Sequence, residues 1–370
     1  MAAALVAKAK NSLLLLRQYN LCRCCLERHA DTGRVKPASP CYICRGLMDD
    51  VDSIADRLMN AISDYEFDTF VVGATLPTQI YEREDAMRAR LKIRGKESIK
   101  NHLTRELGMR LVQLTKKRAD YMKPDITISI SVDKENNVEV VVKSRPLVLA
   151  GRYTKKSRGL PQKQDKCLHC EGKGCDSCKY SGLSGYASVE GIIAKELIEM
   201  TKGDAPKFSW IGSEDQNSLV LGRGRPFSVR IFNPRKRDLG DVRIKSSGVS
   251  AALSVQEDIL EPQARFMVKT KIHAKCENAL AKQDLKKLNM LAGSEVSFEN
   301  RFRLATKKIH SARARQLDSN QFTLTIAADG GLMIKQFVGG EEYMKPNISE
   351  ILGSKCECVT FDILEVLIQQ

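Results

Sequence analysis

Four Cys-x-x-Cys pairs constrain this chain more than any other feature. Cys22-x-x-Cys25 is followed by a loop of 15 residues and Cys41-x-x-Cys44. Much later comes the tighter run Cys167-x-x-Cys170-x4-Cys175-x-x-Cys178. Two pairs let four thiolates converge on one centre, the geometry of a closed structural zinc site. The chain has 370 residues, 42% of them hydrophobic, so it can build its own cores and needs no disulfide framework. Paired spacing in such a chain reads as metal binding in a reducing compartment. Zinc on an otherwise unfolded loop can contribute about 10–16 kcal/mol of apparent binding energy, enough to order the first segment. Cys24 competes as a ligand there, but Cys22 with Cys25 keeps the two-residue gap. In the second quartet Gly172 and Gly174 sit in the short loop. That quartet also suits an iron–sulfur cluster. Zinc is the stronger reading, because no electron-transfer or radical motif accompanies it.

Charge narrows the partners. Lys and Arg number 60 against 45 Asp and Glu, a formal net charge of +15. Such an excess favours a polyanion, most commonly nucleic acid. No apolar run approaches the roughly 18 residues a spanning helix needs, so no membrane span is expected. Lys8 and Lys10 precede the run Leu13 to Leu16, but no convincing cleavage site follows, so no signal peptide is expected. The compartment is read as cytoplasmic. There is no phosphate-binding Gly-x4-Gly-Lys-Ser/Thr loop and no Gly-x-Gly-x-x-Gly after a strand, which disfavours nucleotide and dinucleotide enzymes. Five histidines, at 29, 102, 169, 273 and 310, leave little for a hydrolase triad.

Four segments emerge. Residues 1–60 form the first thiolate region, with irregular backbone at Gly33, Pro37 and Pro40, then a helix in which Leu47, Met48, Val51, Ile54, Leu58 and Ile62 recur at helical spacing. Residues 61–150 read as a small α/β unit. A strand-like run holds Phe67, Phe70, Val71 and Val72, and a basic helical stretch from about Asp85 to Lys117 breaks near Gly95. Ile126, Ile128, Ile130 and Val132 then alternate with polar residues, as do Val138, Val140 and Val142 after a polar turn, which predicts an antiparallel hairpin. Residues 151–182 form a Gly-, Lys- and Cys-rich loop around the second quartet. Lys155, Lys156, Arg158, Lys163, Lys166, Lys173 and Lys179 read there as phosphate contacts. Residues 183–370 mix strands and helices, with alternation at Phe322, Leu324 and Ile326, at Leu332 and Ile334, and in a closing strand from Phe361 to Leu367.

One polar loop stands out. Trp210-Ile-Gly-Ser-Glu-Asp-Gln-Asn-Ser holds the only Trp and the acidic pair Glu214 and Asp215, and runs into Gly222-Arg-Gly-Arg-Pro-Phe227. On residue types alone Asp215 reads as a turn or cap residue as readily as a catalyst.

Over nearly its whole length the sequence resembles the archaeal tRNA pseudouridine synthases of the Pus-ten type. The likeness rests on both cysteine quartets and on Leu21-Cys22, Cys41-x-Ile43-Cys44-x-Gly46 and Pro124-Asp125. It continues through Gly151-Arg152-Tyr153-x-Lys155, Arg158-Gly159-Leu160-Pro161-Gln162 and Ser188-Val189-Glu190. Further matches are Gly222-x-Gly224-Arg225-Pro226-Phe227, Asn233-Pro234-Arg235, Gly331-Leu332-x-Ile334-Lys335 and Lys345-Pro346.

This resemblance implies an α/β (α+β) fold. An N-terminal zinc-binding region and a THUMP-containing RNA-binding region would precede a mixed α/β catalytic domain over 183–370 with a largely antiparallel sheet. It implies an isomerase that converts uridine to pseudouridine in the T arm of tRNA, at uridine 54, 55 or both. By resemblance Asp215 is the catalytic carboxylate. The family loop reads Gly-Arg-Glu-Asp with a second Asp two residues on; here Ser213 replaces the Arg and Asn217 the second Asp. Arg223 or Arg225 is the expected substitute for that Arg, Phe266 the expected ring beside the base, and Lys335, read as a strand residue, the cation that keeps Asp215 ionised. One or two structural zinc ions and no organic cofactor are expected, with tRNA as the only partner.

Pseudouridine formation breaks the N-glycosidic bond and rejoins ribose to C5 of the base. The nucleotide must leave its stack, and a carboxylate acts as nucleophile or base. Arg88, Arg90, Lys92, Arg94 and Lys96, with Arg230, Arg235, Lys236 and Arg237, read as phosphate contacts. The competing reading is a catalytically weakened, zinc-containing tRNA-binding module, suggested by Ser213 and Asn217. A THUMP-containing methyltransferase is disfavoured by the missing cofactor loop.

Overall fold

The computed structural model describes residues 16, 18–29, 36–261, 263–300, 303–341 and 343–369. Lys8, Lys10, Gly33 and the leucine run before Leu16 lie outside them. The chain divides into two compact units, Met1–Arg145 and Pro146–Gln370.

In the first unit α1 (Arg23–His29) and α2 (Val51–Ile62) flank the first quartet. Then follow β1 (Thr69–Thr75), α3 (Thr78–Leu91), α4 (Ile99–Thr115), β2 (Arg118–Ala119), β3 (Ile126–Val132) and β4 (Val138–Ser144). The sheet order is β2-β1-β3-β4. The alternating isoleucines behave as the pattern requires: Ile126, Ile128 and Ile130 are buried, and β3 pairs antiparallel with β4 from Ile126↔Ser144 to Val132↔Val138. β1 runs parallel to β2 and β3. The basic stretch forms two helices, broken around Gly95, and Leu103, Leu107 and Leu111 of α4 enter a core shared with Leu58, Ile62 and Phe70.

The second unit is built on an 11-stranded sheet. Its elements are β5 (Leu147–Lys155), α5 (Val189–Thr201), β6 (Asp204–Trp210), β7 (Val220–Phe232), β8 (Val242–Ser246), β9 (Val249–Gln256), β10 (Phe266–Cys276), α6 (Lys282–Asn289), β11 (Glu295–Asn300), β12 (Arg303–Asp318), β13 (Gln321–Asp329), α7 (Ile334–Gly339), β14 (Met344–Lys345), α8 (Ile348–Leu352) and β15 (Cys356–Ile368). The order is β14-β11-β12-β13-β10-β15-β7-β5-β9-β8, with β6 on β7. Every pairing is antiparallel except β15 with β7, which meet in parallel register at Ile363↔Val220. That junction joins two half-sheets, each with its own core. No helix among the described residues is long and apolar enough to cross a membrane.

Three expectations differ from the structure. Lys335 lies not on a strand but at the second position of α7, because Ile334, Phe337 and Val338 follow helical spacing and bury Phe337 and Val338. Lys155 is not a surface lysine beside the second quartet: it ends β5 with its side chain fully buried. β5 also runs through the boundary expected at residue 150.

Candidate active site and thiolate clusters

The acidic loop joins β6 to β7, next to the β7–β15 junction. Beneath it the aromatic side chains of the strands pack closely. The Trp210 ring stacks on Phe208 and Phe227 at 5.1 and 5.2 Å, and Tyr153 meets it edge-on at 5.4 Å. Into this dry base the loop inserts Glu214, whose side chain is fully buried. A buried carboxylate needs compensating charge and donors. Lys155 Nζ lies 3.0 Å from Glu214 Oε1, and Tyr153 donates its hydroxyl to Oε2 at 2.8 Å. Arg225 Nε is 3.5 Å from Oε2. Gln162 in turn donates to the Tyr153 oxygen at 3.0 Å. Burial, reinforced by the Glu214 charge, pushes the Tyr153 phenol well above its ordinary value, so it remains a donor.

The same cations hold the loop's backbone. Arg225 donates to the Ile211 and Ser213 carbonyls at 2.7 and 3.0 Å. Lys155 donates to the carbonyls of Leu160, Asp215 and Gln216 at 2.8, 3.3 and 3.2 Å. Downstream, Arg158 donates to the Asn217 carbonyl and grips Asp362 at 2.7 and 2.9 Å, while Asp362 accepts the Leu219 amide at 3.0 Å. The loop is fastened from both sides.

Asp215 emerges from this frame toward the cavity. Lys335 Nζ sits 2.6 Å from its Oδ2, and the Asn217 amide donates to Oδ1 at 2.9 Å. Partial burial works against the charged form. The Lys335 and Asn217 hydrogen bonds and the Lys335 and Lys155 charges outweigh it, holding the carboxyl below its ordinary value. Asp215 is thus an ionised carboxylate with about a quarter of its side chain open to solvent, 24%.

A cavity of about 530 Å³ opens there, lined by Asp215, Lys335, Arg225, Phe266, Val268 and Ile326, among others. The Phe266 ring is held between two glycines. A Cβ at Gly212, whose φ is +77°, would lie 2.7 Å from the ring, and one at Gly330 2.4 Å. No other residue type leaves room for the ring in this position. Of the residues singled out in the sequence, Asp215, Phe266, Lys335 and Arg225 meet in this cavity. Arg223 does not: it is exposed on β7, with its charge beside Arg152. The residues Tyr153, Lys155 and Gln162 stand among the sequence matches, but their buried supporting role, and that of Glu214, escaped sequence reasoning. The available signal was the spacing of Leu149, Tyr153 and Lys155, which places all three on one face of a strand.

Both cysteine quartets converge. Within each, the four Sγ atoms lie within 4.8 Å of one another. Cys22 and Cys44 are 3.6 Å apart; Cys167–Cys175, Cys170–Cys178 and Cys175–Cys178 are 4.0, 3.8 and 3.7 Å apart. A tetrahedron with metal–sulfur bonds of about 2.3 Å has edges of roughly 3.8 Å, so either set fits a tetrahedral metal ion. The amides of Gly174, Cys175 and Gly182 point at Cys170 and Cys178 sulfurs at 3.2–3.3 Å, donors that favour thiolates. Cys24 stays outside the first set, its sulfur 4.0 Å from the Met48 carbonyl. One pair lies outside both quartets and departs from the reducing-compartment reading. Cys276 and Cys356 stand opposite each other on β10 and β15, with Cα atoms 4.1 Å apart, and form a disulfide.

Residues 148–367 match the family described as Pus10, C-terminal, and residues 54–131 the Pus10 THUMP domain, archaeal. The chain is 33% identical to the tRNA pseudouridine synthase Pus10 of Nitrosopumilus maritimus, over 95% of this chain and 96% of that protein. The corresponding protein of Cenarchaeum symbiosum is 33% identical over 96% and 91%, and that of Methanosphaera stadtmanae 27% over 96% and 97%. A solved Cbf5-Nop10-Gar1 complex overlaps 60% of the chain with a TM-score of 0.33 and 8% identity.

Proposed function

The chain belongs to the Pus10 family of tRNA pseudouridine synthases, and on that premise we propose that it isomerises uridine in the T arm of tRNA, at position 54, 55 or both, with Asp215 as the reacting carboxylate. The observation that carries this reading is the Lys335–Asp215 pair at 2.6 Å, facing a cavity of about 530 Å³ with the Phe266 ring in its wall. The target uridine leaves its stack and enters this cavity. Its uracil lies against Phe266 and the aliphatic wall. Asp215 meets the sugar and base, as a nucleophile toward the ribose or as a base; Lys335 keeps it ionised and aimed. The bond from ribose to N1 breaks, the base turns, and C5 bonds to the same sugar carbon. C5 gives up its proton and N1 takes one, so composition is unchanged.

Arg225 serves this site by position. Its hydrogen bonds to the loop carbonyls and its proximity to Glu214 tie it to the frame. It therefore supports Asp215 and does not swing into the space a flipped base leaves. The exposed cations Arg90, Lys92, Arg94 and Lys96 at the α3–α4 turn hold RNA phosphates. Arg88 is withdrawn from that task, since it donates to His29 at 3.1 Å and lies 3.3 Å from buried Glu84. The two thiolate quartets each hold a structural zinc ion that orders its loop and stays out of the chemistry. The partner is tRNA, and the reaction belongs in the cytoplasm.

Mapping pseudouridine on an unmodified tRNA transcript after incubation with the protein tests the reading. Product at a T-arm uridine supports it. Tight binding of the transcript with no product supports the alternative of a tRNA-binding module, suggested by Ser213 and Asn217.

A further inference from the structure

The loop joining β2 to β3 displays Tyr121 and Met122, 82% and 89% exposed. Two adjacent large apolar side chains in open water need an explanation, because the backbone beneath them is tightly held. The Asp120 amide donates to the Phe70 carbonyl at 2.9 Å, and the Asp120 carboxylate accepts the amides of Met122 and Lys123 at 2.8 and 3.1 Å. On the far side Asp125 accepts the amides of Asp68 and Thr69 at 3.0 and 3.1 Å. The turn therefore holds the ring and the thioether outward; they are not the end of a frayed segment. Beside them lies a hollow of about 370 Å³ lined by Thr69, Arg118, Ala119, Asp120, Tyr121 and Met122.

Charge around the pair is net positive, Lys116, Lys117, Arg118, Lys123 and Arg145 against Asp68, Asp120 and Asp125. Lys117 is paired with Asp68 at 2.7 Å and Arg145 with Asp125 at 2.8 Å. The Asp120 carboxylate is engaged by its own turn amides, with Arg118 nearby. Lys116, Arg118 and Lys123 are exposed, and the ion pairs found in this unit's described residues do not include them. An outward aromatic face, a polarizable thioether and three cations within eight residues match what an unpaired nucleobase and its flanking phosphates require: stacking is worth about 1–3 kcal/mol per base. A protein partner would bury the apolar pair without calling for the cations.

We infer that Tyr121 and Met122 form a stacking platform for an unpaired base of the bound RNA, other than the reacting uridine, with Lys116, Arg118 and Lys123 on the adjoining phosphates. This rests on the tRNA reading above.

The test compares equilibrium binding of an unmodified tRNA transcript by the full chain and by Tyr121→Ala, Met122→Ala and Tyr121→Trp, at fixed moderate salt. Tyr121→Ala is expected to weaken binding roughly 5- to 150-fold, the range that a lost stack corresponds to, and Tyr121→Trp to keep wild-type affinity. At saturating tRNA the alanine variant keeps its turnover, so KM rises while kcat holds. Equal affinities for wild type and Tyr121→Ala would overturn the platform while leaving the tRNA reading standing. A wild-type chain that binds no tRNA would overturn both. A photo-crosslinking side chain at position 121 adds an independent readout. Adducts with RNA support the platform, and adducts with a second copy of the chain, formed in the presence of tRNA, overturn it.

Discussion

Lys155 and Glu214 meet at 3.0 Å with neither side chain open to solvent. The pair lies one residue from Asp215, on the buried side of the same loop. Its Coulomb attraction offsets a large desolvation cost, and stability alone would be served as well by apolar side chains. Its contribution is positional: Lys155 also holds the carbonyls of Asp215 and Gln216, so the charge that neutralises Glu214 fixes where the Asp215 side chain starts.

Glu214→Gln leaves Lys155 buried and uncompensated. The second unit should lose about 3–5 kcal/mol of stability, the usual result of removing one partner of a buried pair. Trp210, the only tryptophan, packs beneath the loop and reports that transition in urea by its fluorescence. The double variant Lys155→Met with Glu214→Leu should recover much of the stability but not the turnover. Recovery of both would deny the pair a positioning role.

Lys335 predicts a pH effect with a definite sign. Its hydrogen bond and charge help hold the Asp215 carboxyl below its ordinary value. The ionised form therefore persists in the wild type below the usual carboxylate range near 3.9. Lys335→Met should move the acidic limb of the kcat/KM profile upward in pH, and Lys335→Arg should largely restore it. A depressed folded-state value contributes stability above the unfolded-state value and loses it as pH falls through the folded one. With Lys335 57% exposed that contribution is screened to roughly 1 kcal/mol or less, so the kinetic shift is separable from unfolding.

The thiolate quartets predict metal content. Elemental analysis of the purified chain should find close to two zinc ions, since in each set the four sulfurs lie within 4.8 Å of one another. One ion would leave a single occupied quartet, and none would refute both. Cys25→Ser should unfold the α1 region, because that quartet is buried in the first unit's core. Cys170→Ser should disorder mainly its own loop, whose ligands are mostly half-buried.

Binding of tRNA should fall steeply between low and moderate salt as counterions are released. Replacing Arg90, Lys92 and Arg94 together should flatten the slope of log affinity against log salt by about 3. A wild-type slope near zero would contradict the phosphate contacts at the α3–α4 turn.

What the sequence disclosed followed from local rules. Thiol spacing located both quartets, and alternation located β3, β4 and β13. The frame under Asp215 was hidden because its parts are distant in sequence and chemically misleading. Lys155 looks like a surface lysine by type, and only the strand face it shares with Tyr153 places it inside. Lys335 was misplaced for a different reason. Leu332 and Ile334 alternate over too few residues to distinguish a strand from the entry to a six-residue helix. Arg223 and Arg225 lie two positions apart on β7, a spacing that regular pleating would put on one face; the positive φ of Gly222 and Gly224 breaks the alternation, so Arg223 stays exposed while Arg225 reaches the loop carbonyls.

The most direct measurement is a single-turnover assay of wild type and Asp215→Ala on the same unmodified tRNA transcript, with affinity measured in parallel. Wild type should yield T-arm pseudouridine and Asp215→Ala none, with comparable tRNA affinity for both. Undiminished product from Asp215→Ala would contradict Asp215 as the reacting carboxylate.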